Sequence, residues 1–157
     1  MIKINLVAVG KVKEKYFTEG ILEYKKRLGG FCEFNIVEVS EENFRSPTPQ
    51  EIVTIKQREA ERILPHLKGY VVAMAIEGQS FSSPAFARFI KDLTDKGSGV
   101  ITFVIGGSYG LSDEVKSKAD KLMSFSNMTF PHTLFRLMMV EQLYRAFSIN
   151  ANSSYHK

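Results

Sequence analysis

The chain has 157 residues, 44% hydrophobic and 24% charged. That is the balance of a globular domain able to bury a real core, and it excludes a disordered or low-complexity chain. The formal charge of +4 and pI of about 9.1 permit an RNA partner without requiring one.

Ile2 to Val9 reads as a strand that Gly10 ends. This apolar run is too short for a signal peptide and lacks its cleavage pattern. No run elsewhere is long enough to span a membrane, so a cytoplasmic protein is expected. Lys11, Lys13 and Lys15 follow the strand end, either as a solvated turn or, on a sharper reading, as contacts to phosphate. Phe17, Ile21, Tyr24 and Leu28 share one helical face, and Gly29-Gly30 is expected to stop that helix in the left-handed conformation. Cys32 is the only cysteine, which rules out an intrachain disulfide and fits a reducing compartment. Phe34 to Val39 forms a second strand, and Ser40 to Pro47 a polar loop. Thr48 to Glu51 is a capping box with proline at the first helical position. Its helix presents Ile52, Ile55, Ile63 and Leu67 inward. Lys56, Arg58, Glu59, Glu61 and Arg62 form a mixed solvated face, and Pro65 and Gly69 mark the end.

Tyr70 to Ile76 is apolar throughout, as suits a strand buried on both faces, and Glu77-Gly78-Gln79 leaves it. Ser83 is expected to cap the next helix, with Phe86, Phe89, Ile90 and Leu93 on its inner side. Gly97-Ser98-Gly99 returns the chain to a second apolar strand, Val100 to Ile105. Gly106-Gly107 and Gly110 follow, and Ser112 caps a helix with Asp113 and Glu114 in its first turn. Strand and helix alternate without a composition break. This predicts one α/β domain over residues 1–157, with a mainly parallel sheet flanked by helices. The two most apolar strands should be central and adjacent. Their carboxyl ends, at Glu77-Gly78 and Gly106-Gly107, would then form a ligand-binding edge.

The glycines match neither a dinucleotide fingerprint nor a P-loop, and Ser108 does not sit in a nucleophile elbow. His66, His132 and His156 lack metal-ligand spacing, so no zinc site is expected. His132 opens a last helix, from about Pro131 to Ile149, where first-turn hydrogen bonding is the plain expectation and catalysis the sharper one. Leu134, Leu137, Met138 and Val140 read as core or interface. Arg136, Glu141 and Arg145 interrupt this stretch; Glu141 and Arg145, four apart, can pair on the helix surface, or one arginine can face a phosphate or a base. The tail closes on Tyr155, His156 and Lys157, which either fray or stack on a base and touch phosphate.

Three stretches resemble one family: Ile105 to Leu111 (IGGSYGL), Ser124 to His132 (SFSNMTFPH) and Glu141 to Phe147 (EQLYRAF). Val7 to Lys11 and the closing Tyr155-His156-Lys157 agree with it. The chain thereby resembles the small bacterial large-subunit rRNA pseudouridine N3-methyltransferases of the trefoil-knotted SPOUT superfamily. The resemblance implies a C-terminal trefoil knot, an exception to the rule against threaded chains. It implies a homodimer acting on ribosomal RNA, with the partner's tail completing each site, and methylation at pseudouridine 1915 of the 23S rRNA. It implies an S-adenosylmethionine site at Met74, Gly106, Phe125, Ser126, Asn127, Met128, Thr129 and Phe130, and no metal. Arg145, Tyr155 and His156 are the candidates for positioning the base or easing loss of its N3 proton. In the tail, Asn152, Tyr155 and His156 match one family ending, whereas Ser153 replaces a histidine and the usual proline is missing. A knotted methyltransferase for another rRNA or tRNA site, and a non-enzymatic RNA-binding module, are the competing readings.

Overall fold

The apolar runs become strands. In the computed structural model, which describes residues 1–157, five of them form one sheet: β1 (Lys3–Val9), β2 (Glu33–Val39), β3 (Tyr70–Ser80), β4 (Val100–Ile105) and β5 (Lys121–Ser124). Their spatial order is β2-β1-β4-β3-β5, and every pairing is parallel. Five helices connect and close them: α1 (Lys15–Leu28), α2 (Pro49–Ile63), α3 (Ser83–Asp95), α4 (Asp113–Lys118) and α5 (His132–Asn150). Right-handed crossovers place helices on opposite faces when the chain reverses direction along the sheet. Accordingly Ile4, Leu6, Phe103 and Ile105 pack with Ile21, Phe86, Ile90, Met139 and Leu143 from α1, α3 and α5. On the other face Val7, Val9, Ala73 and Val104 pack with Ala60, Ile63 and Val115 from α2 and α4. The inner strands β1 and β4 and the first part of β3, Val71 to Met74, therefore lie buried on both sides, as their unbroken hydrophobicity requires, whereas Ile76, expected within the buried run, is exposed. Thr102, a polar residue in this layer, is fully buried and donates its hydroxyl to Lys68 O at 2.7 Å.

Several local expectations are met by named contacts. Thr48 accepts from the Glu51 amide and Glu51 accepts from the Thr48 amide, the reciprocal capping box. Ser112 accepts from the Val115 amide at 3.2 Å and starts α4. Four expectations are corrected. Gly29 ends α1 at φ −57, a right-handed conformation, because its amide closes a tight last turn onto Lys26 O at 3.2 Å. The cap of α3 is Ser82, whose Oγ accepts from the Ala85 amide at 3.1 Å; Ser83 lies inside the helix and donates to Gln142 Oε1 at 2.9 Å. β3 does not stop at Ile76 but runs to Ser80, with its register against β5 broken between Met74 and Gln79. A Cβ on Gly78 would lie 2.5 Å from backbone atoms of Leu122 and Met123, so this crossing of β3 over β5 admits only glycine. Glu59, assigned to the solvated face of α2, is 3% exposed.

Candidate active site

β4 is the strand whose exit differs from that of its neighbours. β1 and β3 lead into helices on one face, and β4 leads into α4 on the other. A crevice opens beyond the carboxyl ends where adjacent strands part in this way. Here it is an open cleft, with about 590 Å³ of space including its mouth. Its walls come from the middle of β3 just beyond its pairing with β4 (Met74, Ala75, Ile76), the turn after β4 (Gly106, Gly107, Gly110), the loop after β5 and the first turns of α5 (His132, Phe135).

The glycine turn is built by its own packing. Gly110 has φ +83 and donates its amide to Gly107 O at 3.0 Å. A Cβ on Gly106 would sit 2.7 Å from Gly110 C, and one on Gly107 would sit 3.1 Å from Val9 and 3.2 Å from the Glu59 carboxylate. The turn is thus bare because the chain folds onto itself, and the bareness leaves backbone amides and carbonyls reachable from the cleft. The loop over the opposite wall is shaped by serines. Ser124 Oγ accepts from the Ser126 amide and donates to Ser126 O, and Ser126 Oγ accepts from the Met128 amide. Phe125 packs against Phe135 with ring centres 4.7 Å apart and the rings tilted by 34°, tying the loop to α5.

Seven of the eight cofactor positions expected from sequence line this cleft: Met74, Gly106, Phe125, Ser126, Met128, Thr129 and Phe130; Asn127 does not. The lining suits a mostly apolar ligand that carries a positive charge. It contains no lysine or arginine to repel a sulfonium, and it offers backbone and hydroxyl groups for an adenosine. His132 joins the lining, and its Nδ1 is buried without a hydrogen-bond partner, so the expected first-turn bond is absent. The signal that could have placed it was its position directly after the loop expected to bind the cofactor.

Arg136, one turn further on, is one of the two arginines expected to interrupt the apolar stretch or to face a phosphate or a base, and it does not line the cleft. It is 2% exposed, pairs with Glu38 and donates to Gly10 O at 3.0 Å, which fixes the start of α5 against the ends of β1 and β2. Glu59 stands behind the glycine turn and accepts the Glu42 amide at 3.0 Å. Burial pushes its carboxyl above the ordinary range, the bond from the Glu42 amide only partly offsetting this. The folded state therefore holds that proton more tightly than the unfolded state does. Stability falls as pH rises from the unfolded pKa through the folded one, and above that window the charge weighs against the fold. Glu59→Gln keeps the acceptor and removes the charge. We expect its melting temperature at neutral pH to exceed that of the unaltered protein, and the gap to close on acidification, both followed by circular dichroism.

Arg145, Tyr155 and His156 are brought together, but away from the cleft, whose lining includes none of them. Asn152, at φ +56, ends α5: its amide reaches Ile149 O at 3.0 Å and the Ser153 amide reaches Ser148 O at 2.9 Å. This is the paired closure of a left-handed helix stop, for which asparagine is second only to glycine. The stop turns the tail back along α5. Tyr155 lies edge-on to Tyr144 at 4.8 Å, and the Arg145 guanidinium sits 4.8 Å over the Tyr155 ring. Arg145 Nε donates to Glu141 at 2.9 Å, and the Tyr155 hydroxyl donates to the same carboxylate at 3.1 Å. Tyr24 and Glu141 also border a second cleft, walled by Phe81, Leu134, Leu137 and Met138, that shares Met123 and Phe125 with the first.

No group of three or more His, Cys, Asp and Glu side chains is arranged to hold a metal ion, and no helix is long and apolar enough to cross a membrane. Comparison with known proteins agrees with this geometry. The family model described as "Predicted SPOUT methyltransferase" matches residues 2–156. A protein of Levilactobacillus brevis named "Ribosomal RNA large subunit methyltransferase H" is 53% identical over 157 residues, covering 98% of this chain and 99% of its own length. Its namesake in Ligilactobacillus salivarius is 50% identical with the same coverage. Among solved structures, a probable methylase family protein of Haemophilus influenzae matches with a TM-score of 0.52 at 15% identity, over 99% of this chain and 70% of that one. A methyltransferase of Legionella pneumophila, solved with bound SAM, matches with a TM-score of 0.51 at 13% identity, over 92% of this chain and 66% of that one. These distant likenesses speak for the fold.

Proposed function

The chain belongs to the SPOUT methyltransferase family, and from that membership we propose that it transfers a methyl group from S-adenosylmethionine to N3 of a pseudouridine in large-subunit ribosomal RNA. The observation that carries the reading is the near-complete match to relatives named for that rRNA activity, joined to a cleft at the carboxyl edge of the sheet that suits the cofactor. S-adenosylmethionine supplies, when bound, an electrophilic methyl group on a sulfonium. The chain's part is to hold and align. Met74, Phe125, Phe130 and Phe135 offer apolar walls that exclude water, and the turn at Gly106 brings backbone groups within reach.

The active unit in this proposal is a homodimer, with a knotted C-terminal part. Two features support the dimer. The residues assigned to the chemistry, Arg145, Tyr155 and His156, do not line their own chain's cleft, which is the arrangement expected if the tail serves the cleft of a second copy. Leu134, Leu137 and Met138 leave α5 with an apolar cleft that a second α5 can fill. Sedimentation should return twice the 17.8 kDa of one chain.

The deciding experiment supplies labelled S-adenosylmethionine and ribosomes that lack native rRNA methylation, then maps the labelled nucleotide. Label at N3 of a pseudouridine in large-subunit rRNA is the expected result. Label at another rRNA or tRNA site would replace the substrate and keep the methyltransferase. Salt-sensitive RNA binding without cofactor binding would leave only an RNA-binding module.

A further inference from the structure

The three candidates on the tail and α5 differ in what their hydrogen bonds leave them free to do. A carboxylate only accepts hydrogen bonds, so the Tyr155 hydroxyl must spend its hydrogen on Glu141, 3.1 Å away. The Tyr24 hydroxyl, 3.0 Å from that of Tyr155, must then be the donor between the two rings. The polarity of the chain is therefore fixed: Tyr24 donates to Tyr155, and Tyr155 donates to Glu141. Tyr155 has no hydrogen left for a substrate. Burial, the bond from Tyr24 and the adjacent Glu141 charge also push its ionisation well above the ordinary range, so it does not serve as a base.

The same inventory applies to His156. Its Nδ1 lies 3.1 Å from Arg145 Nη1. A guanidinium has donors only and does not lose its proton in proteins, so Nδ1 must be the acceptor. A neutral imidazole whose Nδ1 accepts carries its hydrogen on Nε2. Arg145 is held for this task by Glu141, which takes hydrogen bonds from both Nε and Nη2 and leaves Nη1 to reach the imidazole. The charged and titratable groups packed about the tail at Tyr155 and His156 come from α5, α1 and the tail itself. From α5 they are Arg145 and Glu141, from α1 Tyr24 and Arg27 (whose guanidinium lies 5.2 Å over the Tyr24 ring), and from the tail Tyr155 and Lys157. Arg145 is the only one of these with a hydrogen bond to the ring.

We infer that His156 serves methyl transfer as a hydrogen-bond donor, through Nε2–H, to a carbonyl oxygen beside the reacting ring nitrogen, with Arg145 fixing that tautomer and Tyr155 bracing the tail. The inference rests on the functional reading above. The imide N3 loses its proton to solvent, and the negative charge left behind spreads over the two flanking carbonyl oxygens, where an aimed donor stabilises it. N3 then uses the freed electron pair to form its bond to the methyl carbon, as that carbon's bond to sulfur breaks and the pair stays on sulfur. No side chain gains or loses a proton over the cycle.

Two measurements test this. The first is independent of catalysis: nitrogen NMR of protein labelled at histidine, with His156 identified by its loss in His156→Ala. The expected spectrum has an unprotonated Nδ1 and a protonated Nε2 at neutral pH, and Arg145→Leu should mix the tautomers. A protonated Nδ1 in the unaltered protein would overturn the inference even if the protein methylated nothing, an outcome that would count separately against the functional reading. The second compares variants and pH under single-turnover conditions. His156→Gln places an amide N–H near the position of Nε2 and should keep transfer within about tenfold. His156→Ala should lose about 10²–10³-fold, the usual effect of deleting one preorganised donor. His156→Asn, which can still accept from Arg145 but is too short to reach the substrate, should resemble alanine. The logarithm of the rate should climb with pH through neutrality in parallel for the unaltered protein and His156→Ala, because solvent takes the proton in both. A bend where imidazoles titrate, absent from His156→Ala, with His156→Gln as inactive as alanine, would identify His156 as a general base instead.

Discussion

Gly106→Ala weakens S-adenosylmethionine binding by about tenfold to a hundredfold, the penalty expected when a cleft wall shifts by a fraction of an ångström or more. The cause is a contact with backbone. The new Cβ would lie 2.7 Å from Gly110 C, 2.9 Å from Gly110 O and 3.0 Å from Leu111 N. A flexible side chain could swing away from such a contact, but the turn itself has to move. Gly110 is already at φ +83, so the turn has few other conformations to adopt. Overpacking of this kind costs about 1–3 kcal/mol, which the folded chain can absorb, so the variant should remain folded with a lowered melting temperature. Gly99 is the control. A Cβ there meets nothing within 4 Å and its φ is not in the left-handed region, so Gly99→Ala should bind the cofactor like the unaltered protein. Calorimetric titration separates the two. Equal affinity in both variants would mean that the turn after β4 does not hold the cofactor.

How far the site can be read from sequence depends on the range of the interaction concerned. Tyr70–Ile76 and Val100–Ile105 were legible as adjacent buried strands because burial on both faces demands unbroken hydrophobicity, and adjacency brought their carboxyl ends together. The caps at Thr48 and Ser112 were legible because a cap joins residues three apart. β5 was not, since Lys121–Ser124 is a short edge strand with no apolar run of its own. At α3, two consecutive serines precede Pro84, and only the packing of Ser83 against Gln142 decides which of them caps. Glu59 sat among charged neighbours in the sequence, and nothing local says that its helix turns it toward the glycine turn after β4. The contact between Tyr24 and Tyr155 spans 131 positions. Asn152 gave the one local hint of the tail's course, because asparagine tolerates the left-handed conformation that turns the chain back. The resemblance supplied the cofactor positions that periodicity could not, and the cleft contains all of them except Asn127.

At limiting S-adenosylmethionine, a mixture of two impaired variants regains activity if the tail works in the partner's cleft. Gly106→Ala damages the cleft and leaves the tail intact, and His156→Ala does the reverse. In a two-fold dimer with exchanging subunits, half of the dimers formed from an equal mixture contain one chain of each kind. In these, the intact cleft of the His156→Ala chain meets the intact tail of the Gly106→Ala chain at one of the two sites. About a quarter of all sites are then complete, so transfer should recover to about a quarter of the unaltered rate, from a starting point at least tenfold lower for either variant alone. A tail acting within its own chain gives no recovery, because every chain in the mixture then carries a defect in its own site. The geometry favours the first outcome. The left-handed stop at Asn152, the brace of Tyr24 on Tyr155 and the Arg145 contact all fold the tail against α5 and α1, and His156 does not line the cleft of the chain that carries it. Asn152→Val, which resists that backbone conformation but keeps its cleft, should therefore rescue Gly106→Ala as His156→Ala does, whereas Asn152→Val mixed with His156→Ala should show no recovery, because neither chain then supplies an intact tail.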